Sequence, residues 1–444
     1  MSYRVRPPAR PLAGAVTVPG DKSIGHRALI LAALGDGRAR VSGLGGGQDN
    51  QRTVDALTAL GVAITPAGPD ALVIDGVGWG GLTAPAQPID CGNSGTSMRL
   101  LAGLLAGQPF SSTLDGDRSL RGRPMARVCG PLSAMGARIE GAPGARPGEI
   151  YPPLCVAGRR PLLGIDYASP IASAQVKSAL LLAGLYAQAP VRVREPAPSR
   201  DHTERMLRAL GVPVSVPAPG EVVLDPTGFS RRLPARDWQV PGDLSSAAFL
   251  LVAGLLVPGS QVTVRGVGLN PTRTGVLDAL RAMGADLRTS SVREEGGEPV
   301  GDVTARASAL HATTLAGTLS VRALDEIPIL AVAAACASGT TVVRDAVELR
   351  VKESDRISQI VKELARLGVR ARELSDGLEI DGPARLAGGV TLKSGGDHRI
   401  AMACAVAGLV ARAPIEIADV DNVATSFPGF ESSLAALGAD ILKQ

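Results

Sequence analysis

An α/β fold of six repeated units in two lobes is predicted by three features of this chain. The phrase Leu-x-x-Leu/Met-Gly occurs six times, six apolar Ala-rich helices mark the same units from the other side, and Val-Pro-Gly-Asp occurs twice. The phrase ends at Gly61, Gly136, Gly211, Gly284, Gly368 and Gly438, at intervals of 75, 75, 73, 84 and 70 residues. Each copy reads as the last turn of a helix followed at once by an extended segment such as Val62-Ala63-Ile64. The residue just after a helix commonly turns left-handed, a conformation that costs glycine nothing. The interval is too long for an ordinary solenoid repeat, so each unit is predicted to be a small α/β subdomain.

The apolar helices begin near Ser23, Ser94, Ser173, Ser245, Glu326 and His398. They are hydrophobic nearly all round, which predicts burial. All six open on polar residues, and capping accounts for about half of these. Capping leaves the cations Lys22, Arg27, Arg99, Lys177 and Arg399 unexplained. A helix N-terminus is already positive, so a cation there calls for an anion opposite, and several of these starts are expected to face one shared anionic site. Val18-Pro19-Gly20-Asp21 and Val240-Pro241-Gly242-Asp243 precede the first and fourth buried helices. They are expected to be the two crossovers between a lobe of residues 21–240 and a lobe of 1–20 plus 241–444, with ligand in the cleft between.

Composition excludes several classes. A chain of 444 residues has room for two real cores. Its longest apolar runs, such as Ala247 to Val257, fall short of the ~20 residues of a membrane span. The opening MSYRVRPPARP lacks the apolar core of a signal peptide. Five scattered cysteines suggest neither disulfides nor zinc, and point to a reducing cytoplasm. With 2% aromatics and a net charge of +4 without a basic run, a nucleic-acid partner is not expected. Only six lysines occur among 46 basic residues; Lys22, Lys177 and Lys352 sit in polar motifs, while Lys362, Lys393 and Lys443 read as solvated.

The chemistry-bearing motifs come in order. Asp21-Lys22-Ser23 opens the first buried helix, with Arg27 one turn on. Gly92-Asn93-Ser94-Gly95 opens the second with a turn that lets backbone approach a ligand. Arg118, Arg121 and Arg123 cluster in a loop, and Arg118 and Arg121 read equally well as solvated. Ser173-Ala174-Gln175 opens the third helix, and Ser199-Arg200-Asp201-His202 lies in a later loop. The second lobe offers Asp325-Glu326, the string Arg350 to Arg356, and Asp397-His398-Arg399. A charge-dense string of that kind is ordinarily a helix surface laced with i,i+3 and i,i+4 pairs. Each lobe thus has its own cationic cluster, as two separate anionic groups would require.

Taken together, DKSIGHR, GNSGTSMR, GRPM, SAQVKSALLLAGL, SRDHTERML, VPGDLSSAAF, NPTRTG, LDEIP, RVKESDR, GDHRIAM and SFPGF resemble the 5-enolpyruvylshikimate-3-phosphate (EPSP) synthase family, in the family's order and over essentially the whole chain. The SAQVK and SRDHTER spellings resemble the bacterial subgroup called class II. The resemblance implies the enolpyruvyl transferase fold, an inside-out α/β barrel of six βαβαββ units, three per lobe. It implies transfer of the enolpyruvyl group of phosphoenolpyruvate to the 5-hydroxyl of shikimate 3-phosphate with release of phosphate, a step toward chorismate and the aromatic amino acids. No cofactor or metal is implied. A cytoplasmic monomer is expected, with small-molecule partners alone, no nucleic acid and no membrane.

By matching motif, the resemblance gives Ser173, Ala174, Gln175, Arg200 and Lys352 to shikimate 3-phosphate, with Lys22, Ser23, Arg27 and Asp325 beside it. It gives Arg123, Arg356 and Arg399, with Lys22, Gln175 and the Gly95 backbone, to phosphoenolpyruvate. Planar guanidinium forks suit both carboxylate and phosphate. Glu353 is the expected general acid, Asp325 the base, and Lys22 the stabiliser of developing charge; His398 is given a secondary binding role. Many relatives have a Lys where this chain has Thr425. Gly95 leaves room beside the phosphoenolpyruvate site, where glyphosate-insensitive class II forms often carry Ala, so competitive inhibition by glyphosate is expected. Two other readings compete. The sister enzyme acting on UDP-N-acetylglucosamine usually carries a Cys in the loop that here runs Gly116 to Pro124 without one, and usually has Lys-Asn rather than Lys22-Ser23. A scaffold that kept the fold would have no need of Lys22, Asp325 and Glu353 together.

Overall fold

The protein is described by a computed structural model covering residues 1–144 and 147–444. All six repeat glycines follow a helix with positive φ: Gly61 at 92°, Gly136 at 103°, Gly211 at 79°, Gly284 at 88°, Gly368 at 82° and Gly438 at 99°. A side chain at any of them would be strained in that conformation, which is the physical reason the phrase is repeated.

Each repeat folds its strands into one four-stranded sheet of the same design. In the second repeat Ile89–Asp90 runs parallel to Ser111–Asp115, which pairs antiparallel with Ile150–Ala157, which pairs antiparallel with Arg138–Pro143. The pattern returns in the sheets that centre on Asp36–Ser42, Val191–Arg194, Gly339–Val343 and Ile415–Ala418. The N-terminal strands complete two late repeats: Ala13–Val16 pairs parallel with Gln261–Gly268, and Ser2–Arg6 lies between Ile415–Ala418 and Asp440–Lys443.

The chain divides into two compact units, Gly20–Val240 with Glu295–Glu298, and Met1–Pro19 with Pro241–Glu294 and Pro299–Gln444. Each has its own core. In the first, the central helices are Lys22–Ala33, Gly95–Ala106 and Ala174–Gly184; in the second, Leu244–Leu256, Ile327–Cys336 and His398–Gly408. These helices are buried on nearly every side, and the sheets lie outside them with one face toward solvent. Each buried leucine adds roughly 1.5–3 kcal/mol of transfer free energy. Close helix packing needs small residues: a Cβ at Gly103 would stand 2.2 Å from the Ala179 carbonyl oxygen. No helix among the described residues is long and apolar enough to cross a membrane.

Capping explains more of the helix starts than the sequence suggested. Asp21, Ser94, Ser173, Asp243 and Asp397 each accept a first-turn backbone N–H, and only Glu326 has no such bond. The repeated Val-Pro-Gly-Asp therefore places an aspartate cap in both units. The Arg350 to Arg356 string is not one helix surface. Val347–Val351 is a 3₁₀ turn, and Asp355 caps a new helix, Arg356–Arg366.

Candidate active site

In the Gly20–Val240 unit the first three buried helices bring their starts together. Lys22 Nζ lies 2.9 Å from Asp49 Oδ2 in the first turn of the helix Gln48–Ala59. Arg27, buried one turn into its helix, donates from Nε to Thr203 Oγ1 at 2.6 Å, from Nη2 to Ser178 Oγ at 2.6 Å and from Nη1 to the Ser23 carbonyl at 2.7 Å. Burial lowers its pKa to about 10, and the nearby charge of Arg200 acts the same way, so Arg27 stays cationic at neutral pH. Gln175 is held by the second helix: its Oε1 accepts from Arg99 Nη1 at 2.7 Å and its Nε2 donates to Thr96 Oγ1 at 2.9 Å. Arg123 Nη2 donates to Asn93 Oδ1 at 2.6 Å. A Cβ on Gly95 would lie 2.9 Å from Arg99 Nη1 and 3.3 Å from Arg123 Nη1, so both guanidinium ends rely on that glycine.

Lys177 corrects the sequence reading. Its side chain is only 6% exposed, and its Nζ pairs with Glu195 and Glu204 at 2.9 Å each. The anion opposite this cation is the protein's own pair of carboxylates. Arg121 likewise pairs with Asp115 at 2.8 and 2.5 Å.

In the other unit the predicted residues gather around Arg356, whose side chain is 1% exposed. Its Nη2 donates to Glu353 Oε2 at 2.6 Å, its Nη1 to Asp325 Oδ1 at 3.3 Å, and its Nε to Asp397 Oδ2 at 2.8 Å. Burial alone would lower the pKa of Arg356, but Glu353, Asp397 and Asp325 more than offset it and leave the guanidinium above its usual value. Lys352 Nζ lies 3.5 Å from Asp325 Oδ1, and Arg399 Nη1 donates to the Asp325 carbonyl at 2.9 Å. Arg399 also faces Glu326 at 3.5 Å. Thr425 turns its hydroxyl back to the Asn422 carbonyl at 2.6 Å, and Asn422 Nδ2 donates to the Gly396 carbonyl beside Asp397. The segment that carries a lysine in many relatives is thus tied to the Asp397 loop through Asn422.

Two histidines are buried in these surroundings. Burial pushes the pKa of His26 down to about 3, and burial with Arg399 pushes that of His398 to about 4. Their unfolded value is near 6.5, so below that pH the unfolded chain takes up two protons the folded chain refuses. Burial raises the Glu204 carboxyl, which opposes this with one proton. Stability is therefore expected to fall as pH drops from about 6.5 toward 4, each histidine contributing at most about 1.4 kcal/mol per pH unit. Melting curves at stepped pH on the wild type and on His26→Gln test this. The variant should show a shallower slope, and equal slopes would mean His26 is not the cause.

Sequence reasoning missed Asp49, Glu195 and the pairing of Arg99 with Gln175. It placed Asn93 and Asp397 in motifs without foreseeing that they accept from Arg123 and Arg356.

The family model described as EPSP synthase (3-phosphoshikimate 1-carboxyvinyltransferase) matches residues 7–434. A 3-phosphoshikimate 1-carboxyvinyltransferase of Citrifermentans bemidjiense is 52% identical over 433 residues, 98% of either chain. One of Gloeobacter violaceus is 54% identical over 429 residues, covering 96% of this chain and 97% of its own. Among solved structures, the EPSP synthase of Acinetobacter baumannii superposes with a TM-score of 0.90 at 42% identity over the whole of both chains. The enolpyruvyl transferase NikO of Streptomyces tendae, at 20% identity and a TM-score of 0.80 over 99% of this chain and 98% of its own, shares the fold.

Proposed function

Since the chain belongs to the EPSP synthase family and carries its 3-phosphoshikimate 1-carboxyvinyltransferase activity, we propose that its two clusters of charged side chains divide the work of the reaction. Ser173, Ala174, Gln175 and Arg200, with Ser23 and Arg27, hold shikimate 3-phosphate on the lobe of residues 21–240. Arg356 and Arg399 of the other lobe hold phosphoenolpyruvate, together with Lys22, Arg123, Gln175 and the Gly95 backbone. Lys352 and Asp325 are assigned to shikimate 3-phosphate as well.

The observation that carries this reading is the convergence of Asp325, Glu353 and Asp397 on the single guanidinium of Arg356, with Lys352 and Arg399 at its edge. Two carboxylates fixed on one cation supply both halves of a proton exchange. Asp325 takes the proton of the 5-hydroxyl as its oxygen attacks C2 of phosphoenolpyruvate, and Glu353 delivers a proton to the C3 methylene. Loss of a C3 proton and of phosphate then restores the double bond. Arg356 Nη2 holds Oε2 of Glu353 and so orients the carboxyl that carries the transferred proton. Lys22, a compact ammonium, balances the charge that develops on the carboxylate and phosphate. This is acid–base chemistry on two anions, and it asks for no metal or redox group. A monomer working in the cytoplasm completes the proposal.

Glyphosate, a small anion, is expected to compete with phosphoenolpyruvate. Gly95→Ala should test the site directly, because its methyl would push on Arg99 and Arg123. The inhibition constant should rise about tenfold or more, equivalent to ~1.4 kcal/mol, while KM for phosphoenolpyruvate rises only a few fold. Indifference of the wild type to millimolar inhibitor would contradict this placement of phosphoenolpyruvate.

A further inference from the structure

Lys177 lies behind the residues assigned to shikimate 3-phosphate. Besides pairing with Glu195 and Glu204, its Nζ donates to the carbonyl of Ser199 at 3.3 Å. Glu195 is 1% exposed at its side chain and Glu204 2%. Glu195 reaches two places at once: Oε1 accepts the backbone N–H of Ser173 at 2.7 Å, and Oε2 accepts the hydroxyl of Ser199 at 2.8 Å. Ser173 begins the helix that carries Ala174 and Gln175, and Ser199 precedes Arg200. Glu204 sits in the first turn of the helix His202–Ala209, next to Thr203, which receives Arg27 Nε. Two buried cations and two buried carboxylates thus balance one another.

Such a group is poor value as a source of stability, because desolvating four charges costs about as much as their attraction returns. What it does provide is geometry. One ammonium and one carboxylate tie a helix start and a loop, 22 or more residues apart in sequence, into one frame.

We propose that Lys177, through Glu195, is a positioning residue for shikimate 3-phosphate, fixing the spacing between the Ser173–Gln175 helix start and the Ser199–Arg200 loop. This rests on the assignment of shikimate 3-phosphate to those residues. Lys177 itself touches no substrate. A displaced cradle loses affinity for one substrate and leaves chemistry on the other nearly intact, since misplacement of about 1 Å suffices to cost up to 100-fold.

The test is steady-state kinetics of the full-length enzyme with each substrate varied in turn, for Lys177→Met, Lys177→Arg, Glu195→Gln and the double variant Lys177→Met/Glu204→Gln. Lys177→Met and Glu195→Gln should raise KM for shikimate 3-phosphate about tenfold or more, with kcat and KM for phosphoenolpyruvate within about threefold. Lys177→Arg should recover part of the loss. Lys177→Met takes the cation from both carboxylates. The double variant neutralises Glu204, while Glu195 keeps the bonds from Ser173 and Ser199, so it should regain melting temperature without regaining affinity for shikimate 3-phosphate. Recovery of both together, or an even loss across all three constants, would make the cluster merely structural and overturn the proposal. Should Lys177→Met fail to fold, Glu195→Gln and the double variant decide. Arg200→Gln serves as control. If it leaves KM for shikimate 3-phosphate unchanged, the substrate assignment is at fault; if it raises KM while the Lys177 and Glu195 variants do not, the positioning role alone fails.

Discussion

Replacing Glu353 by Gln is expected to lower kcat by roughly 10²–10⁴, the usual contribution of a general acid, while both KM values stay within a few fold. The substitution keeps the shape of the side chain. Its amide oxygen can still accept from Arg356 Nη2, the bond now 2.6 Å long to Glu353 Oε2. On the proposed mechanism, what is lost is the proton for the methylene carbon of phosphoenolpyruvate. A kinetic split of this form separates proton delivery from binding, which a general weakening of the site would not produce. Near-normal turnover would remove Glu353 from the mechanism.

Arg356→Gln should have the largest effect on stability. The side chain is 1% exposed and is the only one bonded at once to Asp325, Glu353 and Asp397 among the described residues. Asp397 is itself fully buried. Taking away the cation leaves carboxylates buried without their counter-charge, at a cost of about 3–5 kcal/mol. For domains of this size each kcal/mol corresponds to about 2–4 °C, so a fall of roughly 6–20 °C in Tm is expected, with turnover lost as well. Lys at the same position would keep the charge but could not reach three carboxylates in a plane, and should recover little of either. A Tm within about 2 °C of the wild type would mean that this guanidinium is not the keystone of the cluster.

The repeat was readable because local rules produce it. A left-handed residue must follow each helix, and six glycines show it at Gly61, Gly136, Gly211, Gly284, Gly368 and Gly438. A helix buried on nearly every side must be apolar on nearly every side, and all six are beyond the polar residues near their starts. The partners of the charged residues obey no such periodic rule. Lys22 finds Asp49, Arg99 finds Gln175 and Arg356 finds Asp397 across 27, 76 and 41 positions, respectively. Such pairs depend on tertiary packing alone. Lys177 shows how the motif reading fails. A cation one turn past a helix start was expected to face an external anion, yet its position on the helix points it inward to Glu195 and Glu204. Position along a helix gave its place in the chain, and only the fold gave its direction. Thr425 raised the opposite problem, a missing lysine, and its hydroxyl is occupied within its own turn.

The measurement that bears most directly on the reaction is phosphate release by the purified protein given phosphoenolpyruvate with shikimate 3-phosphate, beside a parallel reaction with UDP-N-acetylglucosamine. Release is expected with shikimate 3-phosphate and not with the sugar nucleotide. Release with the sugar nucleotide alone would keep the fold and the enolpyruvyl chemistry but reverse the acceptor, and release with neither would leave a six-repeat scaffold without this activity.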